Sequence, residues 1–342
     1  MYIGACQQDC DAWVDHSWME NSAIGYSGTN SGGNLVVMGS QFDDNTDGFD
    51  TNTQSQGDPP PPQDGQCPYG GTSGFTGTRS CWVFMDNDSH DNNNNYAPGS
   101  GLSGEPPGVG MTVSGARFDT IMDNTFSGND SWGTLFVPYP DSGVGPTGLC
   151  ANSGGHLLLG FCIYDPEGDA LLHNTYSHDG GYGNATDGDF GQITLFGGEP
   201  QDCFAGNVDP DGATPSNLEM VQPEASCGTL TKGGNTGGEL FQQVLCATGY
   251  APSFGESCKG IHYPVPSTPP TMLEVPSSLP TMPNPCLGVP ANPWCTGGKP
   301  VGPAAAPTRA GGSAPAHAAV LASLRPAYSG PAGQKVRRTT TR

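Results

Sequence analysis

The chain has 342 residues, 53 of them glycine and 33 proline, yet 34% are hydrophobic: enough for one large or two ordinary domains, and too apolar for wholesale disorder. The charge is lopsided: residues 1–298 carry 33 acidic side chains against only Arg79, Arg117, Lys232 and Lys259, a net −29, whereas residues 299–342 carry seven basic ones and no acid. A field of that sign excludes nucleic acid as a partner of the main body and disfavours polyanionic substrates unless a divalent cation bridges the two.

The opening "MYIGACQQDC" has neither the basic n-region nor the apolar h-region of an export signal, and no stretch approaches the ~18 apolar residues of a membrane span. Beyond it, short apolar runs alternate with polar turns: "NLVVM", "CWVFM", "GTLFV", "QITLF". Such runs predict many short buried strands joined by long loops. An octet recurs among them, as "VDHSWMEN" from Val14, "MGSQFDDN" from Met38, "MDNDSHDN" from Met85, "MDNTFSGN" from Met122 and "LHNTYSHD" from Leu172. Its first position is aliphatic or Met. Its fifth is aromatic at Trp18, Phe42, Phe126 and Tyr176, and its eighth is Asn21, Asn45, Asn92, Asn129 or Asp179. Glycine follows at Gly25, Gly48, Gly133 and Gly183.

The octet starts lie 24, 47, 37 and 50 residues apart. Read as coils of roughly two dozen residues, the first interval is one coil, the second and fourth two each, and the third one coil with an insertion. A period in the twenties with one strand's worth of apolar residues is a solenoid pattern. One coil cannot bury its inward face alone; stacked coils share a core, the recurring Asn forms a hydrogen-bond ladder, and Gly takes the tight bend. The repeat begins within the first twenty residues, and no cap is evident over the first coil. The native chain is therefore expected to extend upstream, which would also reconcile a cysteine-rich chain with a missing export signal.

Long insertions are expected at 52–80, 93–108, 138–155 and 197–235; loops of this length are often functional. The twelve cysteines, an even number with no zinc-type spacing, favour an oxidising compartment and hence secretion. Sequence does not fix their connectivity. The expectation is pairing of near neighbours: Cys6 with Cys10, Cys67 with Cys81, Cys150 with Cys162, Cys203 with Cys227, Cys246 with Cys258 and Cys286 with Cys295. Coils are expected over 1–260, a proline-rich extended segment over 261–298, and a disordered, basic, Pro/Ala-rich tail over 299–342.

The rhythm of Asn124 to Gly133, with "NTYSHDGGYG" at Asn174 to Gly183, resembles right-handed parallel β-helix proteins, the pectate-lyase-like superfamily. More narrowly, "GYSGTNSGGNLVV", "DGFDTNTQ", "PQDGQCP", "SCWVFM" and "FVPYPDSG" resemble a group of secreted actinobacterial β-helix repeat proteins without an assigned activity. The resemblance spans roughly residues 2–260 and implies an all-β, right-handed parallel β-helix. It does not fix a chemistry, because this fold hosts lyases, hydrolases and adhesins alike.

Candidate chemistry centres on "DDNTDGFDTNTQ", residues 43–54. Asp43, Asn45, Asp47 and Gly48 match the first half of a calcium loop, but Gln54 stands where a bidentate Glu is needed and Asp50 where a hydrophobe belongs. No EF-hand is expected; a looser Ca²⁺ site on Asp43, Asn45 and Asp47 stays open, and no cofactor is required. "NTDGFD" is similar to the N-T-D-G-[IF]-D segment of polygalacturonase-like glycosidases. That similarity implies an inverting pair of Asp47 with Asp64, or of Asp50 with Asp64, on adjacent coils. The sequence departs from that family: Gly65 replaces the second aspartate of the next motif, His156 lies in "GGHL" instead of G-H-G, and R-I-K is absent. The plainer reading is that Asp47 and Gly48 turn the chain. A lyase would need Arg79 or Arg117 as base, and such isolated arginines more often make ion pairs. "SHD" at 89–91 and 177–179 is no triad, since neighbours along a strand face opposite ways. Trp13, Trp18, Trp82 and Trp132 read as core, and Tyr26, Tyr69, Tyr96 and Tyr139 as residues that stack on sugar rings.

The expected function is interaction of a secreted, monomeric β-helix with an extracellular polysaccharide or cell-surface glycan, with divergent glycoside hydrolysis through paired carboxylates. The alternative is a non-enzymatic surface scaffold of adhesin type, stabilised by calcium.

Overall fold

In the computed structural model the described residues are 1–6, 10–52, 82–97, 105–141, 149–152, 154–158, 160–193, 195–196, 202–210, 238–265, 295–296 and 299–300. Contacts divide the chain into Met1–Met272 and Leu273–Arg342.

The first unit is a parallel β-helix. Each complete coil lays down three short strands, one in each of three sheets, and every pairing between successive coils is parallel. The first sheet stacks Trp13–Asp15, Leu35–Met38, Trp82–Met85, Asp119–Met122, Ala170–Leu172 and Cys203–Ala205 in chain order. The second stacks Trp18–Glu20, Gln41–Asp43, Asp88–His90, Thr125–Ser127 and Thr175–Ser177; the third Ile24–Thr29, Asp47–Asn52, Val109–Ser114, Trp132–Val137 and Gly188–Gln192. Residues 1–6 run alongside Ile24–Thr29, bonded at Ser27 and Thr29 and closed by a Cys6–Cys10 disulfide.

Successive octets are neighbours in space. Met38 pairs with Met85, Met85 with Met122 and Met122 with Leu172. The 47- and 50-residue intervals are therefore single coils with insertions, where the sequence suggested two coils each. The first octet is also one residue out of register: Met19, not Trp18, pairs with Phe42, and Ser22, not Asn21, donates its N–H to Asn45 Oδ1. Trp18 faces solvent instead of the core. The physical reason is the corner: the residue before each ladder position has a left-handed backbone, and Asn21 sits there with Asp44, Asp91, Gly128 and His178.

Two ladders run up the stack. Asn45 Nδ2 donates to Asn92 Oδ1 (3.0 Å), Asn92 Nδ2 to Asn129 Oδ1 (3.1 Å) and Asn129 Nδ2 to Asp179 Oδ1 (3.0 Å). A second, not foreseen, joins Asn87, Asn124, Asn174 and Asn207 at 2.9–3.1 Å. It occupies the third octet position, each member again preceded by a left-handed residue: Asp86, Asp123, His173 or Gly206. The histidines of the octets are thus largely corner residues. Inside the coils the rings of Tyr26, Phe49, Phe84, Phe126, Tyr176, Phe190 and Phe204 form an unbroken column with centroids 4.4–6.4 Å apart. Each buried ring contributes roughly 1.5–3 kcal/mol.

The insertion after Val137 is ordered where described. Tyr139–Asp141, Phe161–Tyr164 and His156–Leu158 form an antiparallel sheet, pinned by Cys150–Cys162 beside the short helix Leu149–Asn152. Arg117 forms a buried ion pair with Glu167 at 3.1 Å, as expected of an arginine among acids. Unforeseen was the helix Gly238–Ala247, tied by Cys246–Cys258, which packs Leu240 and Val244 on Val109, Trp132, Leu135 and Ile193. Trp132 and Trp82 are buried, but Trp132 lies under this helix, outside the coils, and Trp13, like Trp18, is exposed where core was expected. Cys203 is also disulfide-bonded, and no described cysteine is free. Cys67, Cys81, Cys227 and Cys286 lie outside the described residues. In the second unit Cys295–Thr296 pairs antiparallel with Lys299–Pro300, across the boundary expected at 298. No helix among the described residues is long and apolar enough to cross a membrane.

Candidate functional site

The strand Asp47–Asn52 carries the segment the sequence singled out. Phe49 stacks on Tyr26 in the coil interior at 4.4 Å. Asp50 aligns with Thr112, and Asp47 with Val109, in columns that continue to Leu135 and Trp132 on the helix-covered outer face. Both aspartates therefore point away from the core. In a regular strand residues three apart face opposite ways. Here Gly48 and Phe49 both turn inward, and a Cβ on Gly48 would lie 2.5 Å from the Gly110 carbonyl and from Ser89 Oγ. Glycine at this one place brings Asp47 and Asp50 to the same face.

Toward Trp132 that face is apolar and sealed by the helix; around Asp50 it is polar. Thr112 donates its hydroxyl to Asp47 Oδ2 at 2.6 Å, and the Phe49 N–H donates to Asp47 Oδ1 at 3.1 Å. Asn52 Nδ2 donates to Asp50 Oδ2 in a short contact. Asp50 Oδ1 and Asn52 Oδ1 are buried and have no hydrogen-bond partner among the described residues. Burial, then the neighbouring Asp50, holds the Asp47 carboxyl well above the usual carboxylate range. Burial also raises Asp50 to about 7, against hydrogen bonds from Asn52 and Ser114 that favour its ionised form. Glu105, from the second-to-third corner of the next coil, is likewise raised well above its ordinary value by burial and by the charges of Asp50 and Asp47. Tyr139 is pushed up to about 12 by burial and then by Glu105 and Asp50. Three carboxyls and a phenol thus share one polar patch over the third sheet, with Asp47 and Asp50 fully buried and Glu105 and Tyr139 partly in solvent.

Asp47, Asp50 and Tyr139 of the sequence-predicted residues come together here. Asp64 and Tyr69 lie outside the described residues. Tyr96 is 84% exposed on the loop after His90, and Tyr26, expected at the surface, is instead buried in the ring column against Phe49. The residues considered for calcium occupy three environments: Asp43 accepts from the Trp18 indole and from Gln41 on the second sheet, Asn45 is engaged in its ladder, and Asp47 is bound to Thr112. Among the described residues no group of three or more His, Cys, Asp or Glu side chains is arranged to hold a metal ion. Ser89 points inward to the Gly110 carbonyl while His90 turns outward, so "SHD" is no triad, although His90 and its neighbour Asp91 do touch at 2.9 Å.

Sequence reasoning missed Glu105, whose loop carries no repeat signal. It also missed a third ladder inside the coils, where Asp169 Oδ1 accepts the Asp119 N–H at 2.7 Å and Asp202 Oδ1 accepts the Asp169 N–H at 2.9 Å. Burial raises all three carboxyls, Asp202 to about 7. Each stands immediately before a first-sheet strand core, a position held by Leu35 and Trp82 in earlier coils, and that shared position was the available signal. Comparison with family models, curated proteins and solved structures returns no match for the chain.

Proposed function

We propose that this protein binds a neutral extracellular polysaccharide, and that the Asp47–Asp50–Glu105–Tyr139 patch is where it does so. The carrying observation is the pair of buried acceptor atoms with no partner among the described residues, Asp50 Oδ1 and Asn52 Oδ1, on an outer sheet face. Buried polar atoms in native proteins are nearly always satisfied, so such a pair calls for an explanation, and sugar hydroxyls are the donors that would meet it. The acidic body favours hydroxyl donors over anionic glycans. Asp50, at about 7, has the proton affinity of a group that both takes and gives a proton near neutrality, which supports divergent glycoside hydrolysis at the same patch.

A second reading, a non-enzymatic secreted scaffold, is favoured by the complete burial of Asp47 and Asp50. Glycan-array binding and reducing-sugar release, measured on the wild-type chain and on Asp50→Asn, separate the readings. Binding that weakens at least tenfold in the variant supports the patch, and release of reducing ends that Asp50→Asn abolishes adds hydrolysis. No signal on any glycan leaves the scaffold.

A further inference from the structure

The outer face of the second sheet carries a feature that the carboxyl patch does not use. Trp18 is 64% exposed there, although the other two described tryptophans downstream, Trp82 and Trp132, are buried. Its indole N–H is already engaged by the Asp43 carboxylate in a short hydrogen bond, and Asp43 itself is only 7% exposed. The ring is therefore pinned to the sheet with its polar atom turned inward, and what it offers to solvent is an apolar π-face.

The surroundings are ordered and polar. Gln41, next to Trp18 in its column, donates to Asp43 Oδ1 (3.3 Å) and lies 3.2 Å from His90 Nε2; His90 Nδ1 in turn meets Asp91 at 2.9 Å. Asp88 continues the Trp18–Gln41 column and Glu20 flanks it, both exposed. With strands about 4.8 Å apart, Trp18, Gln41 and Asp88 make a straight shelf of about 10 Å, apolar at one end and rich in acceptors along the rest.

We infer that this shelf is a saccharide-binding subsite, with one neutral sugar ring stacked by its C–H face on Trp18 and its hydroxyls donating to the acceptors on the adjoining strands. Rigid aromatic surface with low entropy cost, bordered by hydrogen-bonding groups, is what sugar rings with one apolar face require. The carboxylates of Glu20, Asp88 and Asp91 exclude an anionic ring and suit a donor-rich neutral one. The inference rests on the polysaccharide-binding reading above but places a second contact on a different sheet.

Intrinsic tryptophan fluorescence and calorimetric titration with cellohexaose, mannohexaose and xylohexaose, with hexagalacturonate as the anionic control, test it. At least one neutral hexasaccharide is expected to bind and to shift the emission, hexagalacturonate to bind at least tenfold more weakly, and Trp18→Ala to lose at least tenfold in affinity. Trp18→Phe should recover part of that loss; both variants give up the indole hydrogen bond to the nearly buried Asp43, so both should melt alike and somewhat below the wild type, and the affinity difference between them reads the stacking ring alone. Loss in Trp18→Ala with Asp50→Asn unaffected upholds the shelf and overturns the carboxyl patch. Loss in Asp50→Asn with Trp18→Ala unaffected overturns the shelf alone. Failure of every neutral hexasaccharide to bind, or sedimentation showing Trp18-dependent self-association instead, overturns the shelf.

Discussion

Thr112 donates its hydroxyl to Asp47 across two adjacent coils at 2.6 Å, the one side-chain hydrogen bond to that buried carboxyl among the described residues. Because this bond favours the ionised form, Thr112→Val should raise the Asp47 carboxyl further. A group whose folded value exceeds its unfolded one costs stability as pH rises above the unfolded value. The variant is expected to be destabilised by about 1 kcal/mol, because the buried carboxyl loses its side-chain donor. Urea denaturation checks this; a variant as stable as the wild type contradicts it.

The Asp119–Asp169–Asp202 ladder makes the same argument on a larger scale. Its carboxyls and Asp50 are raised above 3.8, so the folded chain binds more protons than the unfolded one. Their contribution is full below about pH 4 and is lost as pH rises toward 7, the value of Asp50 and Asp202. The melting temperature is expected to fall across that window, and a rise would contradict the assignment.

Asp169→Asn separates this effect from general charge repulsion. An asparagine keeps the acceptor for the Asp119 N–H and holds a donor facing Asp202 at every pH, as in the two Asn ladders, whereas Asp169 can share a hydrogen bond with Asp202 only while it is protonated. Stability at pH 7 should increase by on the order of 2 kcal/mol, with little change at pH 4. A loss at pH 7 in calorimetry would show that the ladder prefers its carboxyl.

Asn92 is bonded to Asn45 behind it and Asn129 ahead of it, and also to the Phe42 carbonyl. Asn92→Ala leaves these buried groups unpaired and should cost about 3 kcal/mol, lowering the melting temperature by several degrees. The exposed Tyr96→Ala, four residues away, should shift it by less than about one degree.

Gly48→Ala would place a methyl against a backbone carbonyl that cannot move aside. The expected loss is roughly 2–3 kcal/mol in denaturant titration, with the Asp47–Asp50 geometry disturbed, so glycan binding should weaken together with stability.

The fold was legible because the octet encodes both corners and the core ring of each coil, and stacked coils must repeat them. Two errors have physical causes. An insertion about as long as a coil imitates a coil in sequence, which doubled the 47- and 50-residue intervals. An aromatic at Trp18 imitated the core position that Met19 fills, because register depends on the corner residue, and Asn serves equally in a left-handed turn and in a ladder. At the site, Asp47 and Asp50 stood out because the repeat did not account for them. Their shared orientation did not, since it depends on two inward-facing residues in succession. Glu105 was hidden because it reaches the patch from another coil through a loop without pattern.

The corner between the first and second sheets is always two residues long, from His16–Ser17 to Gly206–Asn207. The other two corners vary, and the exit from the third sheet ranges from four residues (115–118) to thirty-two (138–169). Both variable corners border the third sheet. Segments added to different coils, far apart in the chain, are thus delivered to the same neighbourhood, as Glu105 and Tyr139 are. The protein can elaborate its surface along that edge without disturbing its pitch, while the edge opposite stays a ruler.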